Sequence, residues 1–254
     1  MMNIKIIVAL HKPYIVPDNP IYVPVQAGAS LREPIDGCIP DHQGENISFL
    51  NPYYCELTAL YYAWKNMDYD YLGLVHYRRY FTLHRFKKGF EWILNEEELA
   101  DLIKEHDIIL PIPRNYVIET NYTQYIHAHH RQDLDATRSI IETCYPSYLD
   151  AFDKVMAQSI GHRCNMFIMS KEKADDYMNW LFPLLFRLEQ ALSFDDYSEA
   201  DKRVFGLVAE RLLDVWITKN QYTYKDIPVM FLEKQNWPLK CLRFIARKMK
   251  GGKR

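Results

Sequence analysis

Apolar and polar positions alternate along the chain in blocks that predict strands and helices in turn. Residues 3–10, "NIKIIVAL", form a β-branched run that ends at His11-Lys12-Pro13 and predict a first strand. Residues 11–45 are rich in Pro and Gly and predict a long irregular connection, of a length that is usually either functional or a misread element. "NPYYCELTALYYAWKN", 51–66, predicts one helix, with Asn51 as cap and Pro52 at the first position, where no N–H is needed. Tyr54, Leu57, Thr58 and Tyr61 would form its buried stripe. "YDYLGLVHY", 69–77, reads as a central strand, and 95–106 as a helix with Asn95 and Glu98 in capping-box spacing. Residues 107–113 predict a short strand stopped by prolines, and 122–144 a helix. Residues 164–192 begin as strand and turn helical after Ser170. The amphipathic segment 200–220 puts Val204, Val208, Leu212 and Val215 on its core side, and 222–233 reads as a late extended segment.

Alternating strands and helices over 3–113 predict an α/β fold, a mainly parallel sheet flanked by helices. In such sheets ligands bind beyond the C-terminal strand ends. His11-Lys12 and His76-Tyr77-Arg78-Arg79 both lie at such ends, so both are expected at one cleft. A length of 254 residues suits one large α/β domain or two small ones, and 48% hydrophobic with 25% charged residues is a globular composition. A formal net charge of −2 argues against nucleic acid as a partner. The five cysteines have neither zinc-ligand nor redox-pair spacing and read as reduced thiols of a cytosolic protein. Nothing approaches the ~18 apolar residues of a membrane span.

The chemistry concentrates in "YLGLVHYRRYF", 71–81, where an apolar strand runs straight into His76, Tyr77, Arg78 and Arg79. Guanidiniums match phosphate oxygens bidentately and Lys adds a point charge, so His11, Lys12, His76, Arg78 and Arg79 are candidate diphosphate ligands. Strand alternation would put His76 and Arg78 on one face and Tyr77 and Arg79 on the other. Either guanidinium can instead pair with a structural carboxylate. No P-loop, GxGxxG or HExxH occurs. His127, His129 and His130 are crowded, but one helix does not turn three such residues to one face, and capping or surface roles suit them better than metal. In 200–220, Arg203, Gly206 and Glu210 share a stripe off the core side. A mid-helix Gly costs ~1 kcal/mol relative to Ala and calls for a close neighbour, backbone or ligand. Glu210 beside it is the candidate catalytic carboxylate, with a salt bridge to Arg203 or Arg211 as the alternative. Arg211 and Asp214 are spaced to pair with each other.

Four pieces in order, "NPYYCELTALYYAWKN", "YLGLVHYRRYF", "NMFIMSKEKADDYMNWLFPLL" and "RVFGLVAERLLDVW", resemble a bacterial capsular and exopolysaccharide glycosyltransferase family long catalogued as a domain of unknown function. The likeness spans about residues 3–235 and departs at Leu50, where a Lys is expected. It implies a GT-A-like, Rossmann-type fold in a single domain over 1–238. It also implies transfer of a sugar, galactofuranose or galactose in some relatives, from a nucleotide-diphosphate donor to a lipid-linked or growing polysaccharide acceptor. Most enzymes of that fold hold a divalent cation on an Asp-x-Asp at the strand end. Here His76-Tyr77-Arg78 stands in that place, so no metal ligand is assigned and cationic side chains are expected to neutralise the diphosphate. The resemblance places Asn165 on the sugar and acceptor side and supports Glu210 over Glu199 or Asp201 as the catalytic carboxylate; Tyr77 and Arg203 are expected on the sugar side as well, and the nucleobase and ribose near His11, Lys12 and residues 26–30. The alternative is a catalytically silent nucleotide-sugar-binding or scaffolding subunit of a polysaccharide assembly complex.

The last fifteen residues carry seven Lys and Arg and no acid, which leaves a net −9 on the rest. Leu242, Ile245, Ala246 and Met249 recur at helical spacing, so 239–254 is expected to be an amphipathic tail that holds the protein on the inner face of the cytoplasmic membrane. A solvated terminus is the alternative.

Overall fold

A computed structural model describes residues 2–233, so the basic tail 239–254 and Cys241 lie outside the described residues. The strands are β1 (Ile4–Leu10), β2 (Tyr22–Gln26), β3 (Ile39–Pro40), β4 (Tyr71–His76), β5 (Arg79–Phe81), β6 (Ile108–Pro111), β7 (Arg114–Asn115), β8 (Ile160–Gly161), β9 (Phe167–Ser170), β10 (Lys225–Ile227) and β11 (Val229–Phe231). The helices are α1 (Asn51–Tyr54), α2 (Leu57–Asn66), α3 (Glu96–Leu102), α4 (Asn121–Ile126), α5 (Arg131–Cys144), α6 (Leu149–Ala157), α7 (Lys171–Ala191) and α8 (Val204–Asn220). They fall into two compact units, one of residues 2–112, 164–180 and 223–232, the other of 113–163, 181–222 and 233.

The first unit holds a nine-stranded sheet in the order β10-β6-β9-β4-β1-β2-β3, with β5 and β11 on a side branch. β1 is parallel to β2 and β4, β2 to β3 and β6 to β10, whereas β9 runs antiparallel between β4 and β6. This is the expected α/β architecture, with a mostly parallel sheet. The core is the β-branched face of β1 (Ile4, Ile6, Val8) with Val75, Ile109 and Ile168 from neighbouring strands. The Asn95–Glu98 capping box starts α3 as expected.

Four local expectations are corrected. Helix 51–66 is two helices, because Cys55 takes φ 55° and ψ −129° and breaks the ladder between them. Asn51 is not the cap. Leu50 is, and the Asn51 amide donates to the Cys55 carbonyl at 2.7 Å and accepts from Arg32 at 2.8 Å. Segment 122–144 is also two helices, α4 and α5. The irregular stretch 11–45 contains β2, whose Pro24 hid it, and a buried Asp41 that accepts from the Gly28 and Ala29 amides at 2.8 and 2.9 Å.

The second unit is helical, with the short β7–β8 ladder. Val204, Val208, Leu212 and Val215 of α8 are buried, as their stripe predicts. Its polar centre is Asp133, fully buried, which accepts from the Tyr125 hydroxyl at 2.6 Å and from Tyr197. Burial pushes that carboxyl up.

Candidate functional site at the strand ends of the first unit

β1 and β4 are parallel neighbours in register, Ala9 opposite His76, so their C-terminal ends open at the same edge. The rings and cations that follow converge on the buried Tyr77. His11 and Tyr14 meet its ring edge-on at 5.5 and 4.9 Å. The Arg78 guanidinium stacks 4.8 Å from the ring centroid and the Lys12 ammonium stands at 5.9 Å. Cations over an aromatic face are held by its quadrupole. The two basic strand ends do meet, and the phenol is their common support.

The expected alternation of His76 with Arg78 is corrected. The chain turns tightly at Tyr77-Arg78, so that β4 pairs antiparallel with β5 and His76 stands opposite Arg79. Cross-strand partners share a face, so His76 is grouped with Arg79. Both reach the same residue: His76 Nε2 donates to the Cys164 carbonyl at 2.6 Å, and Arg79 Nη1 donates to Cys164 Sγ at 3.3 Å. Because a carbonyl only accepts, Nε2 carries a hydrogen here. Arg78 is placed instead by Tyr77 and by its own carbonyl, which accepts from Leu232 at 3.1 Å.

Cys164 and Asn165 lead into β9 with φ of 75° and 50°. Two successive non-Gly residues in the left-handed region are costly, and such strain collects at functional sites. Their conformation turns the Cys164 carbonyl to His76 and aims the buried Asn165 amide at a residue the sequence reading passed over. Asn165 Nδ2 donates to Glu56 Oε1 at 2.7 Å, and the same oxygen lies 3.8 Å from His76 Nε2. Glu56 follows Cys55 directly, so the strained break between α1 and α2 is what presents its carboxylate. No local signal marks Glu56, because its partner lies 109 positions downstream.

The remaining expected residues lie in the second unit. Glu210 of α8 stands 3.6 Å from the buried Arg211, and Arg203 is the N-cap residue of that helix, with its side chain exposed. The expected Arg211–Asp214 pair does not form. Arg211 donates to Gln124 at 2.6 Å and to the Leu207 carbonyl at 2.7 Å, while Asp214 accepts from the His162 amide at 2.9 Å. Burial and then the nearby Arg163 lower the Arg211 pKa. The crowded histidines serve carboxylates. His127 sits 2.5 Å from Glu119, and His129 and His130 each sit 3.7 Å from Asp201. Among the described residues, no three His, Cys, Asp or Glu gather as metal ligands.

A family model described as "Domain of unknown function (DUF4422)" matches residues 5–221. The chain belongs to this family. The DUF4422 match takes in every candidate residue above, from His11 to Arg211. A solved structure, the apo form of the bifunctional glycosyltransferase WbbM, is similar at 33% identity and a TM-score of 0.84. The match covers 91% of this chain and 46% of that one, so this DUF4422 chain spans about half the length of WbbM. The fold is thus that of a glycosyltransferase. No curated protein matches the chain significantly.

Proposed function

We propose that this chain is a glycosyltransferase that takes a hexosyl group from a nucleotide-diphosphate sugar and passes it to a hydroxyl of a lipid-linked or growing saccharide. One observation carries the reading: on a fold shared with a glycosyltransferase, Lys12, His76, Arg78 and Arg79 gather at one sheet edge beside a carboxylate held by Asn165. In this reading the cations hold the diphosphate. The acceptor oxygen attacks the anomeric carbon, the bond from that carbon to the diphosphate oxygen breaks, and the nucleoside diphosphate leaves with the electron pair. Positive charge fixed where the leaving group becomes more negative favours the transition state over the bound substrate. Glu56 takes the acceptor proton. Its hydrogen bond from Asn165 orients it, and the His76 imidazole stands 3.8 Å from the same oxygen. Glu210, the carboxylate expected from the sequence, faces Arg211 and serves as the comparison.

The test starts with a calorimetric screen of nucleotide sugars, galactosyl and galactofuranosyl donors first, followed by turnover of Glu56→Gln and Glu210→Gln. Glu56→Gln is expected to bind donor within a few-fold of wild type and to lose ~10²-fold or more in turnover, the scale of general-base help. If Glu210→Gln suffers that loss and Glu56→Gln does not, the base is Glu210. Donor binding without any turnover in the wild type would leave a silent sugar-nucleotide-binding subunit.

A further inference from the structure

Between β5 and the helical turn at Phe90–Trp92 the chain reads "TLHRFKKG", residues 82–89. Phe86 is 97% exposed and Leu83 41%. Arg85, Lys87 and Lys88 around Phe86 are exposed as well, and no acid interrupts the stretch from Phe81 to Phe90. A phenyl ring held in water contributes nothing to folding, and like charges this close together repel one another, so the exposure of Phe86 between Arg85 and Lys88 does not serve the fold.

The loop nonetheless has a fixed base. The Thr82 amide donates to Pro228 at 3.0 Å and its hydroxyl to the Trp92 carbonyl at 2.5 Å. His84 bonds Glu98 at 3.0 Å and meets the Trp92 ring edge-on. The Lys87 amide closes a turn onto the His84 carbonyl at 3.2 Å, and its ammonium lies 4.7 Å from the Trp92 centroid. The anchored base leaves the Phe86 side chain out in solvent.

We propose that this loop is a membrane-contact site, with Phe86 and Leu83 entering the interfacial layer of an anionic bilayer and Arg85, Lys87 and Lys88 meeting its headgroups. Charge complementarity selects this occupant. The chain up to Leu239 carries a net −9, so a local run of three cations around an apolar side chain is matched by a negatively charged surface with an apolar interior. A single protruding ring needs only a fluid interface, whereas a protein partner would have to supply a pocket for it. The inference does not depend on transferase activity.

The test is sedimentation of the full chain with vesicles of phosphatidylcholine alone or with about a third phosphatidylglycerol, at low salt, since apolar insertion and headgroup attraction act together. Wild type is expected in the pellet with anionic vesicles and in the supernatant with neutral ones. Phe86→Ser and the double variant Arg85→Glu/Lys88→Glu should each lower the partition coefficient about fivefold or more, with thermal unfolding unchanged, because these side chains are exposed. Phe86→Trp should bind at least as well as wild type, since indole suits the interface. Wild type remaining in the supernatant, or both charge and apolar variants binding as wild type does, would overturn the proposal. Loss of binding in Phe86→Trp would also overturn it, since that points to a shaped protein pocket.

Discussion

Cys55 shows how one backbone torsion can matter more than its side chain. A φ of 55° with ψ −129° belongs to glycine, and a non-Gly residue held in such a region costs about 1–3 kcal/mol. That cost ends α1 and sets Glu56 at the start of α2, toward Asn165. Replacing Cys55 by Gly removes the steric penalty but adds the ordering entropy that glycine loses on folding, roughly 0.5–1 kcal/mol. The expected result is a gain of ~1 kcal/mol in denaturant unfolding, with slower turnover because Glu56 is less firmly placed. A variant that loses more than about 1 kcal/mol, beyond glycine's own entropy cost, would show that no strain is stored there. The same reasoning explains why Glu56 escaped the sequence reading. Cysteine carries no helix-breaking signal, and "CELTALYY" continues an apolar stripe as a helix should. Glu210, next to a mid-helix glycine, drew attention because its oddity is local.

At the scale of elements, β4 depends on the closeness of its neighbours. A Cβ on Gly73 would meet Ile168 Cγ1 of β9 at 2.9 Å, the Phe167 carbonyl at 3.1 Å and Ile6 Cγ1 of β1 at 3.3 Å. The isoleucines can turn, but a backbone carbonyl inside a ladder cannot move without shifting β9. Gly73→Ala is therefore expected to lose ~1–3 kcal/mol by overpacking, read from the denaturation midpoint at unchanged m-value. An Ala variant as stable as wild type would mean that β9 is free to slide. This sheet was partly legible in advance. β1, β4 and β9 are apolar runs, and the Asn95 box and the α8 stripe each follow a short-range rule. The antiparallel placing of β9 between β4 and β6 was not legible, because that pairing joins segments far apart in the chain. The β4–β5 turn was hidden for another reason. Tyr77-Arg78 lacks the Gly or Asn that usually marks a two-residue hairpin, so an alternating strand was the natural reading and His76 was grouped with Arg78 rather than with Arg79.

The molecule as a whole separates its charges. Residues 1–239 hold 24 basic and 33 acidic side chains, and the last fifteen residues hold seven cations and no acid. A near-neutral total of −2 therefore conceals an acidic body, which an anionic surface repels, and basic segments, which it attracts. Each Lys or Arg brought close to such a surface contributes ~1 kcal/mol, and the attraction fades within a Debye length, about 10 Å at 0.1 M salt and 3 Å at 1 M. If the loop at 82–89 and the segment 240–254 both bind the bilayer, neither alone should carry the whole affinity, as peripheral proteins generally require two weak signals. A chain ending at Leu239 is then expected to partition onto anionic vesicles at least ~10-fold more weakly than the full chain at low salt, while still responding to Phe86→Ser. Raising the salt toward about 0.5 M should release both chains, because screening weakens the attraction of the basic segments. Equal partitioning of the two chains would remove the terminal segment from membrane binding. A shortened chain indifferent to Phe86→Ser would remove the loop instead. Because the two results are independent, the tail and loop contributions can be distinguished without knowing the acceptor or the donor sugar.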